Sequence, residues 1–335
     1  MSGALSMTEG HDRLLTSPAL GEVVGVWAMY GAVAAAISAT ERREHRLLTG
    51  DDPSKRRGSP VLAFAAHPWS LAALPQATLA WARLPHGSRS GVGLRASLAG
   101  GIGGSVVAWR RPAGGPPVAV DSAGVAIVVA TAALTGETLW RTGPGGFSPP
   151  APADRRRVAL ALLLISSSVP WIFADLGLHS GDIPGIGRLF LSRETPINPG
   201  DVAVHLGHHH GMDGTLLALT ALALSRPLQS VTSGRTQAIL SLWLSLLLVY
   251  GGSRTLEDFW NEQIVKRGRA RRKPPIIVRQ GRPEGRWAWL AIGAGAVVID
   301  RCWFRPGPSQ PWWIAARRLA TAVSSRQQRH QGAPS

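Results

Sequence analysis

Between residues 202 and 226 the chain reads VAVHLGHHHGMDGTLLALTALALSR, four histidines and an aspartate running directly into an apolar stretch. On a helix successive positions turn by about 100°, so His205, His208, His209 and Asp213 would share an arc of roughly 140°, with His210 just beyond it. Neutral imidazoles and a carboxylate at i, i+3, i+4 and i+8 are the donors that a helix-borne zinc or iron site needs. Gly207, Gly211 and Gly214 weaken the helix, and they equally admit another helix or a ligand to close range. The expected metal set is His205, His208, His209 and Asp213, joined by His179 from a neighbouring stretch, and Asp175 and Glu257 are the candidate catalytic groups. Asp175 would also serve to orient an imidazole from behind. The plainer alternatives are a solvated histidine run at a helix entrance, an i,i+4 hydrogen-bonded pair of Asp175 with His179, and pairing of Glu257 and Asp258 with nearby arginines.

The elements that must hold these residues are read from the apolar residues, which gather into blocks of about 17 to 23, the length that crosses a bilayer. The mean hydropathy of only +0.07 conceals them, because Arg, Pro and Gly-rich loops dilute the average. The expected fold class is all-α, a polytopic integral membrane helix bundle of about eight spans, near 19–39, 60–82, 91–109, 118–140, 157–176, 204–226, 236–252 and 287–304. An N-terminal tail, 1–18, precedes the bundle, and a basic C-terminal tail, 305–335, follows it. In the tail Trp312, Trp313, Arg317 and Arg318 suit an interfacial helix. His67-Pro68 and Pro75 should kink the second span. The glycines at 100, 101, 103 and 104 should permit close helix approach in the third, where Arg95 must snorkel or find a partner. Glu22, Glu137 and Asp300 lie near span ends and are read as snorkelling groups, Asp300 with Arg301 as its local pair. Parity then brings the ends of the fifth and seventh spans and the start of the sixth to one membrane face. Asp175, His179, Glu257 and Asp258 would thus lie beside the histidine run.

The net charge of +16 is carried almost wholly by arginine, Lys55, Lys266 and Lys273 being the only lysines. These arginines sit between apolar blocks, where cations meet lipid phosphates and set orientation. The expected partner is therefore the lipid bilayer, and no nucleic-acid reader motif is present. The chain is expected in the cell membrane as a multi-pass protein, with the first span uncleaved. The single Cys302 excludes an intramolecular disulfide and a thiolate metal cage.

HLGHHHGMDG, followed by an apolar helix and then FWNEQIVKRG, resembles a group of uncharacterised bacterial polytopic membrane proteins, over a little under a third of the chain. That resemblance implies the fold class and no activity. His205, His208 and His209 also match the HxxHH box of membrane fatty-acid desaturases and hydroxylases. The other two boxes of that di-iron site are missing, since His45, His67, His86 and His179 are isolated. Membrane zinc hydrolases are the nearer comparison, with one metal and an open water position. Three classes of function follow: a metal-dependent membrane hydrolase or oxidase acting on a lipid-like substrate, a cation or proton transporter using the same histidines, and a structural membrane component.

Overall fold

The structure is a computed structural model and describes residues 18–48, 60–109, 118–175, 210–260, 264, 278–279, 282–283 and 285–305. These residues are helical almost throughout. In chain order the helices are α1 (Gly21–Leu48), α2 (Pro60–Phe64), α3 (Ser70–Arg83), α4 (Arg89–Trp109), α5 (Val118–Thr142), α6 (Asp154–Asp175), α7 (His210–Leu224), α8 (Gly234–Trp260) and α9 (Gly285–Ile299). A two-residue ladder pairing Val278 with Pro283 and Arg279 with Arg282 is the only extended pairing among the described residues. Among the described residues, helices thus fall in all eight expected stretches, in the sixth from residue 210 onward. Four of them are long and apolar enough to cross a membrane: Gly21–Ser38, Ser122–Thr142, Gly234–Trp260 and Arg286–Phe304.

The expected kink at His67-Pro68 takes the form of a π-helical turn, Ala65–Trp69, joining α2 to α3. Proline supplies no N–H for the i→i−4 ladder, and widening one turn absorbs the missing bond. A second π-helical turn, Asp300–Phe304, ends α9. The first turn is packed on two sides: a Cβ on Gly124 of α5 would overlap the Ala66 backbone, and Trp69 stacks on Tyr30 of α1 with ring centroids 5.6 Å apart.

The central element is α7. Leu217, Ala218, Ala221 and Leu224 are fully buried, and so is Thr220, whose hydroxyl donates to the Leu216 carbonyl. A helix apolar all round must be enclosed on every side. It runs antiparallel to α8 with backbones nearly touching, since a Cβ on Gly214 would lie 2.5 Å from the Gly251 carbonyl oxygen. The expectation that glycine in this stretch admits a second helix is met at Gly214. A similar small-residue contact joins α4 and α5, where a Cβ on Gly100 would meet Ala126 O at 2.6 Å. Dispersion contacts between closely approaching backbones, rather than long side chains, hold such crossings together.

Candidate functional site at the start of the central helix

The first two turns of α7 carry Gly211, Asp213 and Thr215, and α6 and α8 pack against them. Asp258, in the last turn of α8, accepts the Gly211 N–H at 2.7 Å. That contact satisfies one of the backbone donors a helix start leaves open and places a carboxylate at the positive end of the dipole. One turn further along, Arg254 Nη2 of α8 lies 3.4 Å from Asp213 Oδ2, and the two side chains are only 1% and 12% exposed. The guanidinium also sits 5.6 Å from the centre of the Tyr250 ring. Below this pair the Thr215 hydroxyl hydrogen-bonds with Ser168 of α6 and, at 3.1 Å, with Thr255, whose own hydroxyl reaches the Gly211 carbonyl at 3.2 Å. The C-terminal halves of α6 and α8 and the described start of α7 therefore converge.

Of the residues singled out in the sequence, Asp213, Glu257 and Asp258 are described with their side chains. Asp213 and Asp258 are joined through α7 and α8, and Glu257 is half-buried on the last turn of α8. Asp175 is the last residue of α6. His179, His205, His208 and His209 lie outside the described residues, as does the proposed helical arc over 204–209, and α7 begins at His210. Among the described residues no group of three or more His, Cys, Asp or Glu could hold a metal ion. Arg254, Tyr250, Thr255 and Ser168 were not anticipated. The only signal for Arg254 was a cation placed four residues after Tyr250, just past the expected seventh span.

Glu22 departs from its expected snorkelling. It is 4% exposed, because α1 begins beneath a folded loop rather than at open solvent. Glu22 Oε1 accepts the Ser148 N–H at 2.9 Å and pairs with Arg226 Nη1 at 3.1 Å. Arg226 Nη2 in turn faces Asp154 Oδ2 at 3.3 Å and donates to Ser148 O, and Asp154 Oδ1 meets Arg157 Nη1 at 2.9 Å. Arg157 Nε closes the set on Ser225 Oγ. Gly143, Gly145 and Gly146 make the loop possible, each in the left-handed region at φ between 63° and 75°. The start of α6 and the end of α7 are thus bolted to the start of α1, at the opposite end of α7 from Asp213.

Asp300 is likewise buried, at 2%, and not simply paired with Arg301. Arg305 Nη2 lies closer, at 3.1 Å against 3.7 Å for Arg301, and Ser241 of α8 donates to the carboxylate. The π-turn carries Asp300 inward, which sequence spacing on a regular helix would not show. Arg95 finds its partner in Glu137, at 2.7 Å.

Burial pushes the Asp154 carboxyl up, but the Ala151 N–H, Arg226 and Arg157 outweigh it and hold its pKa below the usual carboxylate value. A depressed folded-state pKa stabilises the fold above the unfolded pKa of about 3.9, and that stabilisation is lost as pH falls through the folded value. Thermal unfolding of Asp154→Asn is therefore expected to fall below wild type at pH 6 and to converge with it as pH falls through the carboxyl's depressed folded-state value. A constant gap across that window would show that the carboxylate's charge is not what matters.

Comparison with family models, with curated proteins and with solved structures found no match.

Proposed function

We propose that this chain is an integral membrane protein crossing the bilayer eight times, and that it performs metal-dependent hydrolysis or oxidation of a lipid-like substrate where the chain enters α7. The observation that carries this reading is the buried Asp213–Arg254 pair at the start of a fifteen-residue helix, immediately after HLGHHH. The described fifteen residues of α7 rise about 22 Å, most of a hydrocarbon core of about 30 Å. A buried charge pair on such a helix is tolerated only where it lines a cavity or is enclosed by protein, and it marks a candidate functional site.

In this reading His205, His208 and His209, with His179, supply neutral nitrogen donors, and Asp213 supplies carboxylate charge at the end of the run. Arg254 holds Asp213 in place, Asp258 fixes the first turn of α7, and Asp175 and Glu257 remain the candidates for proton transfer. Bound zinc or iron would supply Lewis acidity and an activated water. The resemblance of HLGHHHGMDG to uncharacterised membrane proteins supports the setting without naming a substrate.

Metal analysis of detergent-purified wild type and of His205→Ala/His209→Ala tests the reading. Near-stoichiometric zinc, iron or manganese in the wild type, reduced at least tenfold in the variant, is expected. Equal and negligible metal in both would overturn it. If metal-free protein then moved protons or cations across proteoliposomes, the transporter reading would take its place.

A further inference from the structure

On the outer side of the α4–α5 pair two arginines share a single carboxylate oxygen. Arg95 Nη2 and Arg141 Nε both donate to Glu137 Oε1, at 2.7 and 2.6 Å. One carboxylate cannot neutralise two guanidiniums, so the cluster carries a net positive charge. Arg95 is 54% exposed and Arg141 39% exposed. Among the described residues no second acceptor takes either group. Each guanidinium has five N–H donors, so most of both forks face outward.

The surroundings say what lies in front of them. Leu94, Leu98, Ile102 and Val106 form an exposed apolar stripe along α4, beginning beside Arg95. Arg95 stands six residues into α4, about 9 Å from its start, and Arg141 stands in the last turn of α5. Trp140, next to Arg141, is 90% exposed. An exposed tryptophan and paired arginines at the head of an apolar stripe are what the boundary between headgroups and acyl chains selects.

We propose that Arg95 and Arg141, held apart from solvent-only snorkelling by Glu137, bind the phosphate of an anionic phospholipid whose chains lie along the α4 stripe. Guanidinium forks match phosphate oxygens in a bidentate way, and the net charge of the cluster favours an anionic over a zwitterionic lipid. The site rests on the membrane-spanning reading but not on any chemistry at α7.

The test uses full-length protein reconstituted in phosphatidylcholine bilayers containing a minority of phosphatidylglycerol, with one or the other lipid brominated on its upper acyl chain. The Trp140 signal is the difference between wild type and Trp140→Phe. Quenching per brominated phosphatidylglycerol is expected to exceed that per brominated phosphatidylcholine by about fivefold for each engaged arginine. Arg95→Gln/Arg141→Gln should bring the ratio to about one, whereas Glu137→Gln, which frees both forks, should raise it. Equal quenching by the two lipids in wild type, or a preference that survives loss of both arginines, would overturn the proposal. So would abolition of the preference by millimolar inorganic phosphate, which would mark a free-anion site instead. Retention of the chain in membranes washed with alkaline carbonate decides the spanning reading separately.

Discussion

Replacing Arg254 by Met should destabilise the protein by about 3–5 kcal/mol, the loss expected when one partner of a buried ion pair is removed. Arg254 is 1% exposed on its side chain and Asp213 12%, so water cannot take over the role of the missing partner. Guanidinium packing against the Tyr250 ring is lost at the same time. Asp213→Asn/Arg254→Met should recover much of this, because both charges of the pair are then removed together. Thermal unfolding of the four purified proteins in detergent measures the cycle. If the double variant is as unstable as the sum of the singles, the two residues do not act as a pair. The experiment also bears on function: the metal content of Asp213→Asn/Arg254→Met should fall even where its stability returns, since the carboxylate is gone.

Gly251→Ala is expected to be among the most damaging single-methyl changes in the described helices. Its Cβ would run into the Gly214 carbonyl and lie 2.9 Å from the Ala218 backbone nitrogen, both of them main-chain atoms that cannot rotate aside. Overpacking of a close-packed contact costs about 1–3 kcal/mol, and a backbone-to-backbone clash belongs at the upper end. The neighbouring Gly252 has nothing within 4 Å of its would-be Cβ, so Gly252→Ala should be neutral or stabilising by about 0.5–1 kcal/mol through helix propensity. Comparing the two by thermal unfolding separates crossing geometry from glycine flexibility. Equal effects would show that the α7–α8 contact can spread without loss. Because Asp213 and Arg254 flank this crossing, Gly251→Ala should also loosen them, seen as faster amide exchange at Gly211.

The same crossing shows how far residue types reach. Small residues at 211, 214, 251 and 252 mark a place where something can come close, yet only the packing reveals that Gly214 and Gly251 face one another while Gly252 faces open space. A helical repeat of 3.6 positions assigns a face only when the partner's direction is known.

Apolar blocks and their spacing determined that the described residues are helical and where their helices lie, because the length of an apolar block sets the length of the helix it forms. Proline at 68 determined that the second helical stretch would be broken. What the tertiary structure decided is which charges are inside. Glu22 and Asp300 sit near helix ends, where a sequence allows them to reach water, but the 143–150 loop folds over one and a π-turn draws in the other, so each requires an arginine far from it or around a widened turn. Arg254 and Asp213 are 41 residues apart and become a pair only because two glycines let α7 and α8 touch. Burial of charge depends on what covers it, and covering is a property of distant segments.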